Sequence, residues 1–589
     1  MRVRTASQSR APAPWLEDAA ALAVYVVLWV ALIGRVAITD PAHTCACPGD
    51  SDPATYMWAL VWWPHALVHG LNPFVSHVVW TPEGGNVAAA ALIPAAAVLM
   101  SPITAAFGPI VSYNVLSLLG PVLSAWFTFR LCRYITRRWL PSLVGGYVFG
   151  FSSYVLAHML GHLNLILVFL VPAAVHLVLL WLDEGISARR FVVLMTGLIT
   201  LQFLLSTEVL LTMLTFGAVA LMLAYAFSPP RRRRIVDMVP KVLGAGAVSA
   251  LLVGPYLYYA LKGLGTNPSV NYVATAERYS ADPLNYGLPT PVTWIGHGLT
   301  ESLSAKFNST EAIHANYTEG AGYLGLPLLM IVAIFLFAHR RRGSAKVALG
   351  VLVVVFVASL GAHLHVANPP GPVGAYRPSI PLPWRLVNHL PAVDHTLPAR
   401  FSMYVSLIAA VVVAQWLAEP ARRMWARWLL AVVGVVLLIP NQALPYWRGK
   451  PADPSFFTEQ TYRHYLKRDE TALVIPYGWN GNSMLWQAET DMYFRMAGGY
   501  LSSEVPAGYW REPVVRALLE TEAEGITPQR WRLPLRDFLV RRRVGAVILA
   551  GDDSDVWRPV VESLGLRPRR AGGVLFYDVS SRRLRSGDS

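Results

Sequence analysis

Long apolar runs are the feature that most limits how this chain can fold. Eleven of them are about 17–25 residues long, the length that a helix needs to cross a hydrocarbon core of about 30 Å. Only 14% of the 589 residues are charged, against roughly a quarter in soluble domains. We therefore predict an all-α polytopic membrane bundle of about 11 transmembrane helices. The predicted spans are residues 19–39, 110–132, 141–157, 163–182, 191–207, 209–227, 238–260, 320–338, 345–362, 400–418 and 425–441.

Basic residues at the ends of these runs set the orientation. The formal net charge is +14, but the arginines flank apolar runs, which indicates cytoplasmic loops rather than a nucleic-acid-binding surface. The apolar segment 86–107 would break this pattern if it crossed the membrane, and its Pro94 and Pro102 suit an irregular segment. We interpret it as a re-entrant or surface helix. The N-terminus is then cytoplasmic, the C-terminus lies outside, and no nucleic-acid partner is expected.

Three long segments then face the outer side, and a polar region follows the last span. The segments are residues 40–109, 261–319 and 363–399, and loops this long in a compact domain usually have a function. We predict a membrane domain over 1–445 and an extracytoplasmic α/β domain over 446–589, where helix-like stretches alternate with short β-rich runs. Its predicted strands are 472–476, 546–549 and 574–577, and its predicted helices lie near 455–468, 512–523 and 554–565.

The three cysteines, Cys45, Cys47 and Cys132, do not indicate a disulfide framework. Cys45 and Cys47 are too close in sequence for a relaxed bridge, and a metal site built on two thiols lacks partner ligands nearby. We interpret all three as incidental small residues. The first apolar run is long and lacks a convincing cleavage site, so no cleavable signal peptide is expected.

An acidic pair, Asp50 and Asp52, follows the first span in the stretch Gly-Asp-Ser-Asp-Pro. A partly desolvated carboxylate at a membrane interface is suited to act as a general base. Two carboxylates two residues apart also offer oxygen ligands to a divalent cation. The alternative is a solvated turn in which an aspartate caps the helix that starts near Pro53.

Two further outer junctions carry polar residues between apolar runs. His158 and His162 lie at the first, where an imidazole can bind a donor phosphate or an acceptor hydroxyl. Interface histidines that are hydrogen-bonded to the backbone are the alternative. Glu208 lies at the second, and a carboxylate there is costly unless it is paired or wetted, which favours a cavity over lipid.

The later outer loops add further candidates for substrate binding. Glu319 and Tyr323 are four residues apart and would share one helical face, although a simple helix start explains them about as well. Lys262, Arg385 and Arg400 are candidate anion-binding residues, since a basic side chain can pair with a lipid phosphate. Contact with lipid headgroups is the alternative for each of them.

This layout resembles the GT-C superfamily of membrane glycosyltransferases. The acidic position that this superfamily has in its first outer loop matches Asp50 and Asp52, and its surface helices match residues 56–69 and 86–107. An outer C-terminal domain also has parallels there. The departure is at the second outer loop, where the chain has two histidines and several relatives carry an acid.

The resemblance implies inverting transfer of a sugar from a polyprenyl-phosphate donor to a glycan, lipid or protein acceptor on the outer face. Asp50 or Asp52 would be the general base, and Arg400 with Lys262 or Arg385 would stabilise the departing phosphate. No cofactor is required, although the two aspartates could hold a divalent metal. Arginine far outnumbers lysine, which is typical of GC-rich bacteria, so we expect a bacterial plasma membrane location among membrane lipids.

Two alternatives from other classes stay open. A transporter or flippase of lipid-linked precursors would also use many helices, but charged residues are sparse within the spans and no repeated halves are visible. A non-catalytic envelope assembly protein would use its outer domain to recruit wall enzymes. The sequence contains no P-loop, HExxH or GxSxG motif, so soluble nucleotide-driven chemistry has no visible site.

Overall fold

The computed structural model is a helical bundle followed by a domain that contains a sheet. It describes residues 14–49, 51–90, 92–263, 272–304, 317–367, 380–390, 393–451, 453–501, 505–520, 525–551 and 554–579. Within these ranges, eight helices are long and apolar enough to cross a membrane. They are Trp15–Thr39, Pro109–Thr136, Trp139–His158, Leu163–Leu182, Ala188–Leu205, Thr207–Phe227, Pro229–Leu252 and Pro398–Ala418.

The other three predicted spans also form helices, but shorter ones. Leu326–Ala338, Gly343–Ser359 and Met424–Leu437 have 13, 17 and 14 residues. Each predicted span therefore contains a helix. The segment 86–107 is helical only over the 14 residues Pro94–Phe107, and its position in the membrane stays a prediction.

The helix Pro109–Thr136 packs against Trp139–Gly150 and Ser402–Ala418 in the middle of the bundle. Glycine permits the close approach, because a Cβ on Gly150 would lie 2.5 Å from the Cβ of Ala125 in Pro109–Thr136. Helices in lipid associate through small residues and close packing, since the lipid tails are as apolar as the side chains. This packing fixes the helices relative to one another, and it thereby positions the polar residues at one end of them.

The predicted first outer loop folds into two helices and a short hairpin. Helix Ser51–Val68 comes first, and its Trp58 and Trp62 rings stack 5.3 Å apart. Strands β1 (Val75–Ser76) and β2 (Gly85–Asn86) then pair antiparallel. Helix Pro94–Phe107 ends the loop.

Cys45 and Cys47 form a disulfide, so the prediction that they are too close to bridge was wrong. The chain between them bends until their Cα atoms are 5.1 Å apart, which lies in the usual range of about 4.4–6.8 Å. Gly449 fixes this bend, because its backbone pairs with both cysteines: the Cys45 amide donates to the Gly449 carbonyl, and the Gly449 amide donates to the Cys47 carbonyl, each at 2.9 Å.

The C-terminal region contains a five-stranded sheet of order β4-β3-β5-β7-β6. β3 (Thr471–Ile475) is parallel to β4 (Arg495–Met496) and to β5 (Ala546–Ala550). β7 (Val574–Asp578) is antiparallel to β5 and to β6 (Arg569–Ala571). This confirms the predicted all-α bundle followed by an α/β domain. The longer helices between the strands are Ser483–Glu489, Pro513–Glu520, Pro528–Arg541 and Ser554–Glu562.

The predicted first outer loop covers the edge strand β4. The Met496 amide donates to the Val78 carbonyl at 2.8 Å, and the Thr81 amide donates to the Met496 carbonyl at 3.1 Å. The Trp80 amide donates to the Gly498 carbonyl at 2.9 Å. Backbone pairing of this kind satisfies the exposed edge of a sheet, and it docks the C-terminal domain on the loop that follows the first span.

The predicted helix that would start at residue 320 starts instead at Leu326. Residues 317–325 form a turn and irregular chain that ends at Gly325, whose φ is 80°. Only glycine adopts this conformation readily. The prediction that Glu319 and Tyr323 share a helical face was therefore wrong.

Candidate functional site

Asp52 lies in the first turn of helix Ser51–Val68. Its side chain is about one third exposed, and its Oδ2 lies 3.7 Å from Nε2 of His162. Gly161 lines the other side, where an added Cβ would come within 3.2 Å of Oδ2. Asp50, the other predicted base, lies outside the described residues.

The C-terminal domain supplies a hydrogen bond to Asp52. Tyr500 follows β4, and its hydroxyl donates to Asp52 Oδ1 at 2.7 Å. Its backbone carbonyl accepts a hydrogen bond from the Thr55 hydroxyl at 3.2 Å. Burial and then the charge of Asp52 raise the pKa of Tyr500, so this hydroxyl keeps its proton at neutral pH. Tyr500 was not predicted from the sequence, because the contact joins residues 448 positions apart and no local pattern marks it.

His158 and His162 lie at the end of the helix Trp139–His158 and in the turn that follows. Nδ1 of His158 lies 2.8 Å from the Tyr154 carbonyl. A carbonyl only accepts, so Nδ1 carries a proton and donates it to this carbonyl. Nε2 of His158 lies 3.7 Å from Glu319 Oε2, and the two histidine rings are 5.8 Å apart.

Arg400 joins two of the predicted acidic residues. Its Nη2 and Nε donate to Glu319 Oε1 at 2.6 and 3.1 Å, and its Nη1 donates to Glu208 Oε2 at 2.6 Å. Such charge-assisted bonds are strong and fix geometry. The predicted contact of Arg400 with a phosphate stays a prediction, while its observed contacts hold Glu319 beside His158. The connected residues, which we call the carboxylate–histidine cluster, are Asp52, His158, His162, Glu208, Glu319 and Arg400.

Buried polar contacts on each side hold the elements of this cluster in place. Tyr56, one turn after Asp52, donates to Asn164 Oδ1 at 2.5 Å. The hydroxyls of Thr212 and Tyr404 lie 2.8 Å apart, one turn beyond Glu208 and Arg400. Each pair links two helices, so the cluster is positioned by the bundle rather than by a single loop.

The surroundings set the protonation of Glu319 and His162. Burial would raise the pKa of Glu319, but the charge and hydrogen bonds of Arg400 outweigh it, with a further contribution from His158, and hold this pKa well below its usual range. Burial first and Arg400 second lower the pKa of His162 to about 4. At neutral pH, Glu319 is therefore a carboxylate and His162 a neutral imidazole.

The donor set of the cluster fits a divalent cation. One ligand atom each from His158, His162 and Glu319 lies within 4.8 Å of the others, and neutral imidazole with carboxylate is a zinc-type ligand set. His158 Nε2 and His162 Nδ1 are buried without a hydrogen-bond partner in the part of the chain that the structure describes. The cluster has three carboxylates and one guanidinium, and a cation would balance this excess of negative charge. The trio differs from the predicted pair of ligands, Asp50 and Asp52.

Three of the predicted binding residues lie apart from the cluster. Lys262 is exposed, with its Nζ 4.4 Å from the centre of the Tyr258 ring. Arg385 is exposed on a short 3₁₀ turn, and Tyr323 is buried at 2% exposure. No hydrogen bond or ion pair between described residues joins any of the three to the cluster. Their roles in binding stay predictions.

One family model matches the chain. The model is described as a domain of unknown function, DUF6311, and it matches residues 22–439, well over half of the chain. None of the curated proteins matches.

Solved structures share the fold. The oligosaccharyltransferase AglB from Archaeoglobus fulgidus, in complex with an inhibitory peptide and a dolichol-phosphate, aligns with a TM-score of 0.52 at 12% identity, over 97% of this chain and 74% of that one. The same enzyme in complex with Zn and sulfate aligns with a TM-score of 0.53 at 13% identity, over 95% of this chain and 73% of that one. The arabinofuranosyltransferase AftD from Mycobacteria aligns with a TM-score of 0.53 at 16% identity, over 97% of this chain and 40% of its own length. At these identities the likeness shows the fold alone, and that fold is the GT-C fold.

Proposed function

The chain belongs to the DUF6311 family and has a GT-C fold, and we propose that it is a membrane glycosyltransferase. The observation that carries this proposal is the position of Asp52. A carboxylate from the first loop faces a neutral histidine at 3.7 Å and is held at 2.7 Å by a tyrosine from the C-terminal domain. A carboxylate that is fixed and still partly open to solvent is suited to take a proton from a bound hydroxyl.

Asp52 is the proposed general base. The Tyr500 hydroxyl donates to Oδ1, which leaves Oδ2 as the oxygen that accepts the proton of the acceptor hydroxyl. The acceptor oxygen attacks the anomeric carbon of the donor sugar, and the bond from this carbon to the phosphate oxygen breaks. The phosphate leaves with the electron pair on the opposite face, so the anomeric centre inverts.

His158, His162 and Glu319 are the proposed ligands of a divalent cation. The His162 ring is in the neutral state that binds metals, and Glu319 is already ionised, so neither of these ligands has to lose a proton when a cation binds. A cation held there would supply positive charge for the departing phosphate. In this proposal Arg400 acts on the reaction through Glu319, because its three guanidinium nitrogens already donate to Glu319 and Glu208.

We propose a polyprenyl-phosphate sugar as the donor and a glycan, lipid or protein as the acceptor. The fold supports the donor class, since the AglB structure of the same fold contains a dolichol-phosphate. The arginine pattern supports a cytoplasmic N-terminus in a bacterial plasma membrane, with the cluster and the C-terminal domain from about residue 446 on the outer side. Lys262 and Arg385 remain the proposed contacts of the lipid phosphate.

Transfer of radiolabelled sugar from a panel of polyprenyl-phosphate sugars by the purified protein tests this proposal. Asp469→Asn is the matched control, because Asp469 is an exposed carboxylate of the C-terminal domain. We expect the wild type and the control to transfer sugar, and Asp52→Asn to elute and melt like them but to lose transfer. Transfer by Asp52→Asn at the control rate would remove Asp52 as the base. Movement of a labelled donor across vesicles without any transfer would favour a flippase.

A further inference from the structure

A partly exposed tryptophan of the C-terminal domain lies beside the residue that holds Asp52. The ring centre of Trp479 is 6.2 Å from that of Tyr500, and the two ring planes meet at 70°. The Tyr500 hydroxyl donates in turn to Asp52 Oδ1 at 2.7 Å. A single side chain therefore separates this indole from the proposed general base.

Hydrogen bonds on both sides of Trp479 fix its position. The residue lies in a short 3₁₀ turn that follows β3. Asn480 Nδ2 donates to two carbonyls of the helix Pro513–Glu520, both at 3.0 Å. Asn482 Nδ2 donates to the Gly49 carbonyl at 3.3 Å, just before the helix of the proposed base. The turn is thus held between its own domain and the first loop.

Trp479 differs from the tryptophans that support the fold nearby. Trp58 and Trp63 are buried, and their Nε1 atoms donate at 2.8 Å to Gln487 Oε1 and to the Leu92 carbonyl. The Trp479 ring is partly exposed, and among the described residues no acceptor lies within hydrogen-bond distance of its Nε1. Its N–H and part of its ring are therefore available to a ligand.

We propose that Trp479 forms an acceptor-binding subsite and that the acceptor is a glycan, an inference that rests on the proposed function of Asp52. The C–H groups of a sugar ring form an apolar face that packs on the electron-rich face of an indole. The hydroxyls of the sugar accept a hydrogen bond from the indole N–H. When the reacting hydroxyl lies at Asp52 Oδ2, Trp479 holds the same sugar or the next one along the chain.

The surroundings of Trp479 favour a glycan over the other two acceptor classes. An extended peptide is commonly bound at a free sheet edge, but residues 78–81 of the first loop already pair with residues 496–498 along the edge at β4. An acyl chain offers no acceptor to the indole N–H. A glycan uses both the ring face and the N–H.

Glycan binding by the purified full chain in detergent tests this subsite, with an array of bacterial oligosaccharides as the probe and no sugar donor present. Trp510→Ala is the matched control, a second partly exposed tryptophan of this domain that lies beside Arg516. We expect the wild type, this control and Asp52→Asn to bind the same glycans with equal affinity. Trp479→Ala should bind them about 10-fold more weakly or worse, as expected for loss of an aromatic anchor.

Trp479→Phe protects this test against misfolding, because it keeps an aromatic face and loses the N–H. Its affinity should lie between those of the wild type and Trp479→Ala. In sugar transfer, Trp479→Ala should raise the KM for the glycan and leave kcat nearly unchanged.

The outcomes separate this subsite from the transfer reaction. Glycan binding that depends on Trp479 without any sugar transfer would support the subsite and contradict the proposed function. Failure of the wild type to bind any glycan, or equal affinity in Trp479→Ala and Trp510→Ala, would overturn the subsite. Sugar transfer to a peptide or lipid acceptor in the same preparation would show that the proposed function stands without it.

Discussion

The two halves of the carboxylate–histidine cluster are held in different ways. Within the bundle, Glu208 and Glu319 are fixed by the Arg400 guanidinium at 2.6 Å. At the contact with the C-terminal domain, Asp52 accepts a hydrogen bond of 2.7 Å from the neutral Tyr500 hydroxyl. An ion pair fixes its partners and cancels their charge, whereas a neutral donor fixes the orientation of a carboxylate and leaves its charge. We therefore propose that the inner half (Glu208, Glu319 and Arg400) holds the cluster in place and that the outer half (Asp52) takes the proton.

Arg400→Met should give the largest effect, on stability. It removes the guanidinium that pairs with the buried Glu319 and the partly buried Glu208, and breaking a buried ion pair in this way costs about 3–5 kcal/mol. We expect a lower Tm and a lower folded yield in detergent. Arg385→Met changes an exposed arginine of the same loop and should leave the Tm nearly unchanged. If Arg400→Met has the same Tm as this control, the ion pairs of Arg400 with Glu208 and Glu319 do not have the proposed structural role.

Asp52→Asn should affect the rate and leave stability almost unchanged. The amide keeps an oxygen for the Tyr500 hydroxyl but cannot take a proton, and loss of a general base lowers kcat by about 10²–10⁴-fold. The measurement is single-turnover sugar transfer together with thermal unfolding, with Asp469→Asn as control. A large fall in Tm with little change in rate would reverse the assignment of the two halves.

Tyr500→Phe should give a smaller loss of rate. It removes one hydrogen bond to a charged group, worth about 1.5–3 kcal/mol, which corresponds to about 10–100-fold in kcat. Donor affinity should stay unchanged, because Tyr500 contacts Asp52 rather than the lipid phosphate. Tyr493→Phe, another tyrosine of the same domain whose hydroxyl contacts a backbone carbonyl, is the control. A raised donor Kd with an unchanged kcat would contradict a positioning role.

Acid should destabilise the metal-free protein in a window set by His162. Its pKa is about 4 in the folded protein and about 6.5 in an unfolded chain. Its contribution is therefore complete above about pH 6.5 and is lost as the pH falls toward 4, on the order of 3 kcal/mol, because one pKa unit corresponds to about 1.4 kcal/mol. Because the pKa of Glu319 is lowered, the contribution of this residue to stability is lost only below about pH 4.5. In a buffer that contains a chelator, the Tm of His162→Gln should depend less on pH between 6.5 and 4 than the Tm of the wild type. The same slope of Tm against pH in both proteins would contradict this role of His162.

The bundle could be predicted from sequence because lipid imposes one rule on every span. Each crossing helix needs a long apolar run, so the runs themselves indicate where the helices lie. The C-terminal strands 471–475, 546–550 and 574–578 were found within about one residue, since each is a short continuous apolar run. β4 and β6 have two and three residues, too few to give a pattern. The helix Pro528–Arg541 was missed because Pro534 and its arginines conceal the apolar periodicity.

The cluster could be predicted only in part. Asp52, Glu208, Glu319 and Arg400 were found as polar residues next to apolar runs, and the bundle brings them together with the two histidines. Tyr500 and the Cys45–Cys47 disulfide were missed, because each depends on the approach of chain segments that are distant in sequence, which no local pattern records. The irregular chain before Gly325 was mistaken for helix, because the apolar run extends across it.

The most direct test of the account is a double-mutant cycle on sugar transfer, with wild type, Asp52→Asn, Tyr500→Phe and the double variant under single-turnover conditions. If Tyr500 acts only through Asp52, the losses are not additive. The account predicts that Asp52→Asn is the slowest single variant and that adding Tyr500→Phe lowers its rate no further. An unchanged rate in Asp52→Asn, or the same loss from Tyr500→Phe in both backgrounds, would contradict it.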